Sequence, residues 1–312
     1  MKLKEKFLGA FIGSSLGDAI GELAFQFGTK DLLLKHVQSQ NILRYTDDTA
    51  MAIGIAETII STKNDWTTKQ LAEQFHTNYS REPYRGYGMG PPTIFNIVER
   101  SERDYQEVAT SLFGGEGSYG NGAAMRITPL GIFYYDTEDL YNIVERSAVA
   151  THTHPLGIDG ATTLAKLLGI LVLKKPENND IEKERTDILT KLRDFAHTDE
   201  YKEKISRIFQ LCENKTDIKK AEEDLGSNVL AFTSVPFAIY TFFRNPDSYR
   251  ETLLDTVLIS KDRDTVGAMV GGLLGAYLGI DDIPTSWIEK LENIDYIRQL
   301  ATDLWKLKTK QE

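Results

Sequence analysis

Two short acidic clusters, more than two hundred residues apart, carry the side chains best suited to chemistry. The first is Tyr45-Thr46-Asp47-Asp48-Thr49, running into Ala50-Met51-Ala52-Ile53-Gly54. The second is Lys261-Asp262-Arg263-Asp264-Thr265, running into Val266-Gly267-Ala268-Met269. Carboxylates beside threonine hydroxyls form an all-oxygen donor set, which suits Mg²⁺ or Mn²⁺ rather than zinc or iron. Brought together by a fold, the clusters would build a two-ion site, and the chain would be an enzyme. Either cluster alone also reads as a plain helix cap, because Thr and Asp satisfy free amides and complement the helix dipole. The same arrangement occurring twice, each time opening a small-residue helix, favours metal.

Two other segments could bind a ligand. Gly117-Ser118-Tyr119-Gly120-Asn121-Gly122 has three glycines in six residues, a loop whose amides can approach an anion. Tyr119, with Phe113 a little upstream, offers aromatic faces for a flat ring. The same composition also describes a simple turn. Thr151-His152-Thr153-His154-Pro155 holds two of the five histidines. With one cysteine and no third histidine nearby, zinc is unsupported and a hydrogen-bonding role is expected.

The elements that would position these groups read as helices. Apolar spacing predicts helices over residues 3–24, 48–62, 67–80, 91–110, 137–150 and 157–175, then 231–243, 247–260, 264–279 and 285–308. Residues 180–225 are highly charged and amphipathic, with Ile188, Leu192, Phe195, Ile205, Ile208, Phe209 and Cys212 on the apolar stripes, and read as peripheral helices. Few stretches alternate with period two, and no Pro/Gly/Ser linker divides the chain. One all-α domain over residues 1–312 is expected, a compact multi-helix bundle.

A glycine pattern links the two ends. Gly9, Gly13, Gly17 and Gly21 recur every four residues, as do Gly267, Gly271, Gly275 and Gly279. Residues four apart share one helix face, and each interior glycine costs about 1 kcal/mol relative to alanine. A tight helix crossing would offset that cost and carry Asp18 and Glu22 towards Asp262 and Asp264.

Composition sets outer limits. The 312 residues are 41% hydrophobic and 26% charged, with net charge -10 and a pI near 5.2. An acidic chain of this kind is a poor nucleic-acid binder. Cys212 is the only cysteine, so no intrachain disulfide forms, and a reducing, cytoplasmic location is expected. Lys2 to Lys6 followed by an apolar stretch imitates a signal peptide, but the pattern continues past Asp18 and Glu22 without a clear cleavage site. No membrane span is expected, and a monomer is.

The chain resembles the ADP-ribosylglycohydrolase family, which includes the dinitrogenase-reductase-activating glycohydrolases and the ADP-ribosyl-acceptor hydrolases. The residues that carry the resemblance are Gly17-Asp18-Ala19-Ile20-Gly21, the stretch from Tyr45 through Ala52, Arg85-Gly86-Tyr87-Gly88, residues 117–125, Thr151-His152 with Leu156-Gly157, and Asp262-x-Asp264-Thr265. Ser234-Val235-Pro236 and Gly275-Ala276-Tyr277 also fit. The similarity runs along essentially the whole chain in order. It implies an orthogonal all-α fold with two Mg²⁺ ions in a cleft, held by Thr46, Asp47, Asp48, Asp262, Asp264 and Thr265. It implies that Phe113 and Tyr119 flank an adenine, that Gly117, Ser118 and Gly120 hold a diphosphate, and that His152 contacts the ADP-ribose. The activity implied is hydrolysis of the bond between ADP-ribose and a modified protein side chain, with Asp47, Asp48 and Glu22 as catalytic carboxylates. The Arg-Gly-Tyr-Gly and Gly-Ser-Tyr-Gly-Asn segments resemble the branch directed to serine and poly-ADP-ribose more than the arginine-directed one.

This chain departs from the family pattern at two places. Ungapped counting puts Phe25 where the family has a glutamate, and only a gapped match puts Glu22 there. The late motif usually begins with two glycines, whereas here Lys261 and Arg263 flank Asp262. Cations there would weaken Mg²⁺ binding unless they point away or pair with acids. These departures keep open a second reading, an ADP-ribose-binding protein with little catalytic power. A helical phosphohydrolase is the third reading, although no histidine here is followed by aspartate.

Overall fold

The computed structural model describes residues 2–176 and 180–310. The first half holds α1 (Leu3–Ala24), α2 (Lys30–Ser39), α3 (Asp47–Ser61), α4 (Thr68–Arg81), α5 (Gly90–Ser101), α6 (Tyr105–Ser111), α7 (Gly122–Met125), α8 (Thr128–Phe133), α9 (Leu140–Ala148) and α10 (Pro155–Val172). The second holds α11 (Asp180–Phe195), α12 (Asp199–Glu213), α13 (Ile218–Leu225), α14 (Ala231–Arg244), α15 (Tyr249–Ile259), α16 (Arg263–Leu278), α17 (Thr285–Ile288) and α18 (Ile294–Thr309). Among the described residues there is no strand, only isolated bridges at Leu43–Leu291 and Gly120–Leu230. The fold is all-α.

Local chemistry explains most boundaries. Thr67 Oγ1 accepts from Gln70 N at 3.2 Å while Gln70 Oε1 accepts from Thr67 N at 2.9 Å, a reciprocal cap that opens α4. The single helix expected over 91–110 is two, because Glu102 adopts a left-handed φ of 55° and Asp104 then caps α6. The helix expected over 285–308 divides in the same way at Asn293, also at φ 55°. Helices α2, α7 and α8 had no expectation from periodicity, since two of them span only four and six residues.

At the centre, α1 and α16 cross antiparallel. Gly9, Gly13 and Gly17 stand against Gly275, Gly271 and Gly267 in turn, and Gly21 stands against Arg263. Both helices are buried nearly all round. The glycine stripes are therefore the contact itself, as their spacing predicted. Helix α10 is long and apolar enough to cross a membrane, but its residues are mostly buried against α7, α8, α9 and α14. Helices α11 to α13 pack against α10 and α14, with Ile188, Leu192, Ile205, Ile208 and Cys212 buried in the same core.

Candidate active site

Asp18, in the middle of α1, organises the start of α3. Its carboxylate is fully buried. It accepts from Thr46 N at 3.1 and 3.0 Å, Thr46 Oγ1 at 2.8 Å, Thr49 N at 3.1 Å and Thr49 Oγ1 at 2.6 Å. Thr46 Oγ1 in turn accepts from Asp48 N at 3.4 Å, so Thr46 is the cap of α3. Asp47 N donates to Arg85 O at 2.8 Å. With the amides served by other groups, the carboxylates of Asp47 and Asp48 are not needed as caps. Asp48 Oδ2 is buried and has no hydrogen-bond partner.

The second cluster arrives from α16. Asp262 occupies the cap position but makes no capping bond; its Oδ2 accepts from Asn121 Nδ2 at 2.6 Å. Asp264 Oδ1 is a second buried carboxylate oxygen without a partner. The two neighbouring cations turn away. Lys261 Nζ lies 3.3 Å from the buried Glu222. Arg263 donates to Phe27 O at 3.0 Å, to Ser260 O and Leu258 O at 3.3 Å each, and to Ala24 O. Neither cation opposes a metal from the cleft side.

Both clusters meet in a cleft of about 520 Å³, whose wall includes Asp47, Asp48, Asp262, Asp264 and Thr265. A larger cavity of about 660 Å³ lies between Arg185, Cys212, Tyr240 and Arg244, and no acidic-motif residue lines it. We assign the site to the smaller cleft because the carboxylates converge there. Thr46 does not line the cleft; its hydroxyl donates to Asp18 instead. Burial, then repulsion from Asp18 and Asp264, pushes the Asp47 carboxyl up to about 8. Burial and Asp264 push Asp262 up to about 7. Asp48 is driven well above the usual carboxylate range by burial and the same neighbours.

The glycine loop forms another wall, with Phe113, Gly117, Ser118, Tyr119 and Gly120 all on the cleft. Gly117 has φ +73°, and a Cβ there would lie 2.0 Å from Thr153 Oγ1, so the position requires glycine. The amides of Gly117 and Gly120 are engaged locally, with Leu112 O and Ser118 Oγ, each at 3.2 Å. Phe113 and Tyr119 are half-exposed at the rim. His152 is buried, and its Nδ1 lies 2.7 Å from Thr151 Oγ1. Burial, helped by Arg126, lowers its pKa to about 3, so the ring is neutral at physiological pH. His154, by contrast, caps α10 by accepting from Leu156 N at 3.1 Å.

Glu22 is exposed and is not part of the cleft wall. It sits near enough to Asp264 for burial and that carboxylate to raise its pKa. Phe25 is exposed and lies 5.9 Å from the Arg263 guanidinium. Of the two candidates for the family glutamate position, only Glu22 is a carboxylate close enough to Asp264 to feel its charge.

The donor set fits hard divalent cations. Two partnerless buried oxygens, Asp48 Oδ2 and Asp264 Oδ1, belong to opposite clusters, and the nearby oxygen donors are carboxylates and hydroxyls. Among the described residues no three carboxylate, imidazole or thiolate groups close into a finished cage. Water would have to complete the coordination, which is the habit of Mg²⁺. Three contributors were not expected as site residues: Asp18, Asn121 and Met51. All three lie inside segments that the sequence marks, Asp18 in Gly-Asp-x-x-Gly, Asn121 in the glycine loop and Met51 just after the first acidic cluster, but their residue types alone do not assign them a role.

The whole chain, residues 1–312, matches the family model described as ADP-ribosylglycohydrolase. Among relatives, "ADP-ribosylhydrolase ARH3" of Homo sapiens is 30% identical over 339 residues, covering 97% of this chain and 93% of that one. "ADP-ribosyl-[dinitrogen reductase] glycohydrolase" of Rhodospirillum rubrum is 27% identical over 304 residues, covering 92% and 90%. A solved structure titled "ADP-ribosylglycohydrolase-related protein complex" superposes with a TM-score of 0.71 at 21% identity, over 98% of this chain and 99% of that one.

Proposed function

Because the chain belongs to the ADP-ribosylglycohydrolase family, we propose that this hydrolase removes ADP-ribose from modified protein side chains in a Mg²⁺-dependent reaction. Asp47, Asp48, Asp262, Asp264 and Thr265 would hold two Mg²⁺ (Mn²⁺ as a substitute), with Thr46 supporting them through Asp18. The observation that carries this reading is the pair of buried, partnerless carboxylate oxygens from opposite clusters on one cleft. Bound there, the ions would supply Lewis-acid polarisation and orient the distal ribose hydroxyls.

The chain's own groups do the rest. Phe113 and Tyr119 flank the adenine, and the Ser118 hydroxyl reaches the diphosphate, with Gly117 and Gly120 shaping the loop around it. Neutral His152 hydrogen-bonds the ligand without adding charge. An aspartate of the first cluster, Asp47 or Asp48, takes the proton from the attacking water through an oxygen that holds no ion; the water oxygen bonds to the anomeric carbon as the bond to the acceptor breaks, and the proton passes on to the departing acceptor oxygen. Glu22, outside the cleft wall but close enough to Asp264 to feel its charge, is the second proton-handling group. The acceptor is an O-linked one, serine or poly-ADP-ribose, rather than arginine; the resemblance of Arg85-Gly86-Tyr87-Gly88 and of the Gly-Ser-Tyr-Gly-Asn loop to the serine- and poly-ADP-ribose-directed branch supports this.

The test is ADP-ribose release from serine-, arginine- and poly-ADP-ribosylated substrates, with and without Mg²⁺. Mg²⁺-dependent release from the O-linked substrates is expected. Binding of ADP-ribose with no release from any of them would overturn the reading.

A further inference from the structure

Arg126 closes α7, and its side chain is completely buried. Nη2 donates to Ser147 O at 3.2 Å and Nη1 lies 3.7 Å from Met51 Sδ. The Phe75 ring is 4.5 Å from the guanidinium carbon. Nε is buried with no partner. The contacts of this cation are thus a sulfur, a carbonyl and an aromatic face, with no carboxylate among them. A buried ion without a partner costs several kcal/mol, so its counter-charge must lie further off.

The fold places that counter-charge in the cleft. Met51, on which the guanidinium rests, stands on α3 one turn beyond Asp47 and Asp48 and forms part of the cleft wall. At the other end of α7, Asn121 bonds Asp262. One helical turn therefore joins Arg126 to both acidic clusters. Gly122, on the same turn, packs against His152, where a Cβ would come within 2.7 Å of the ring. Burial pushes the Arg126 guanidinium down to about 9, with Asp47 pulling it back up, and burial, then the charge of Arg126, disfavours protonation of His152.

We propose that Arg126 is the internal counter-charge of the carboxylate floor, a positioning residue that offsets the repulsion among Asp47, Asp48, Asp262 and Asp264 from behind Met51. This rests on the Mg²⁺ reading above. It carries a sign that a packing role does not. A fixed cation behind a metal site stabilises the clustered carboxylates but opposes the incoming ions. Once the carboxyls are ionised, above their titration range, its removal should tighten Mg²⁺ binding, whereas loss of a packing residue should loosen it.

The experiment is calorimetric titration of the full chain with Mg²⁺, for wild type, Arg126→Met, Arg126→Gln and Arg126→Lys, with thermal unfolding in EDTA and in saturating Mg²⁺. A unit charge acting on a dication through protein changes binding by about threefold or more. Both neutral variants should bind Mg²⁺ tighter by that factor, and their melting temperature should rise more on Mg²⁺ addition than that of wild type. Arg126→Lys should keep the wild-type affinity. Equal or weaker binding by the neutral variants overturns the proposal, as does failure of both to fold in saturating Mg²⁺. If wild type binds Mg²⁺ and the variants match it, only the role of Arg126 falls. If wild type binds none, the metal reading falls and takes this one with it.

Discussion

Gly17 and Gly267 face each other so closely that a Cβ on Gly17 would lie 2.0 Å from Gly267 O, and one on Gly267 would lie 2.3 Å from Gly17 O. Helix α1, whose Asp18 holds the start of α3, and helix α16, which carries Asp264, therefore touch backbone to backbone. Gly17 immediately precedes Asp18, and Gly267 follows Asp264 by three positions, so this contact sets Asp18, the anchor of the first cluster, against the helix that carries the second.

Gly17→Ala or Gly275→Ala should destabilise the protein by roughly 3 kcal/mol or more, the upper end of overpacking costs. In each case the added methyl meets rigid backbone rather than a side chain that can move. Gly28→Ala is the control, since nothing lies within 4 Å of a Cβ there, and it should change stability by about 0.5 kcal/mol or less. Urea unfolding midpoints decide this, and near-neutral behaviour of Gly17→Ala would show that the helices can separate cheaply.

Asp47→Asn and Asp264→Asn should each abolish Mg²⁺-dependent release of ADP-ribose. The two residues come from opposite clusters and line one cleft. Full activity in either variant would mean that the metal ligands lie elsewhere.

Glu22→Gln should lower turnover while leaving Mg²⁺ affinity nearly unchanged, because Glu22 lies outside the cleft wall yet within the influence of Asp264. Unchanged turnover would remove Glu22 from the mechanism and leave proton transfer to the aspartates.

Stability should depend on pH in a direction set by the raised carboxyls. Asp47 stands at about 8 and Asp262 at about 7 in the folded chain, against 3.8 for an ordinary aspartate. Between these limits the folded protein holds protons that the unfolded chain has released, so stability falls as pH rises. In EDTA the melting temperature should drop from pH 5 to pH 8, and saturating Mg²⁺ should flatten the profile. A melting temperature in EDTA that climbs over that range would contradict the shared burial of these carboxylates.

Much of the architecture was legible in the chain. The four-residue glycine repeats predicted a crossing, and α1 and α16 cross along them. Apolar periodicity located the long helices but ran through Glu102 and Asn293, where a left-handed residue interrupts an otherwise continuous pattern. Short helices such as α7 carry too few residues for a period to register.

The sequence by itself determined which atoms are available: carboxylates and hydroxyls in two motifs, a glycine loop and aromatic faces, because these are properties of residue type and near-neighbour spacing. Only the tertiary structure decided how they are used. Thr46, an expected ligand, also donates its hydroxyl to Asp18, and Lys261 and Arg263 turn to Glu222 and to backbone carbonyls. Arg126 ends up buried behind the cleft with no acid in contact. Direction, burial and long-range charge depend on which helices pack together, and residues far apart in the chain set all three.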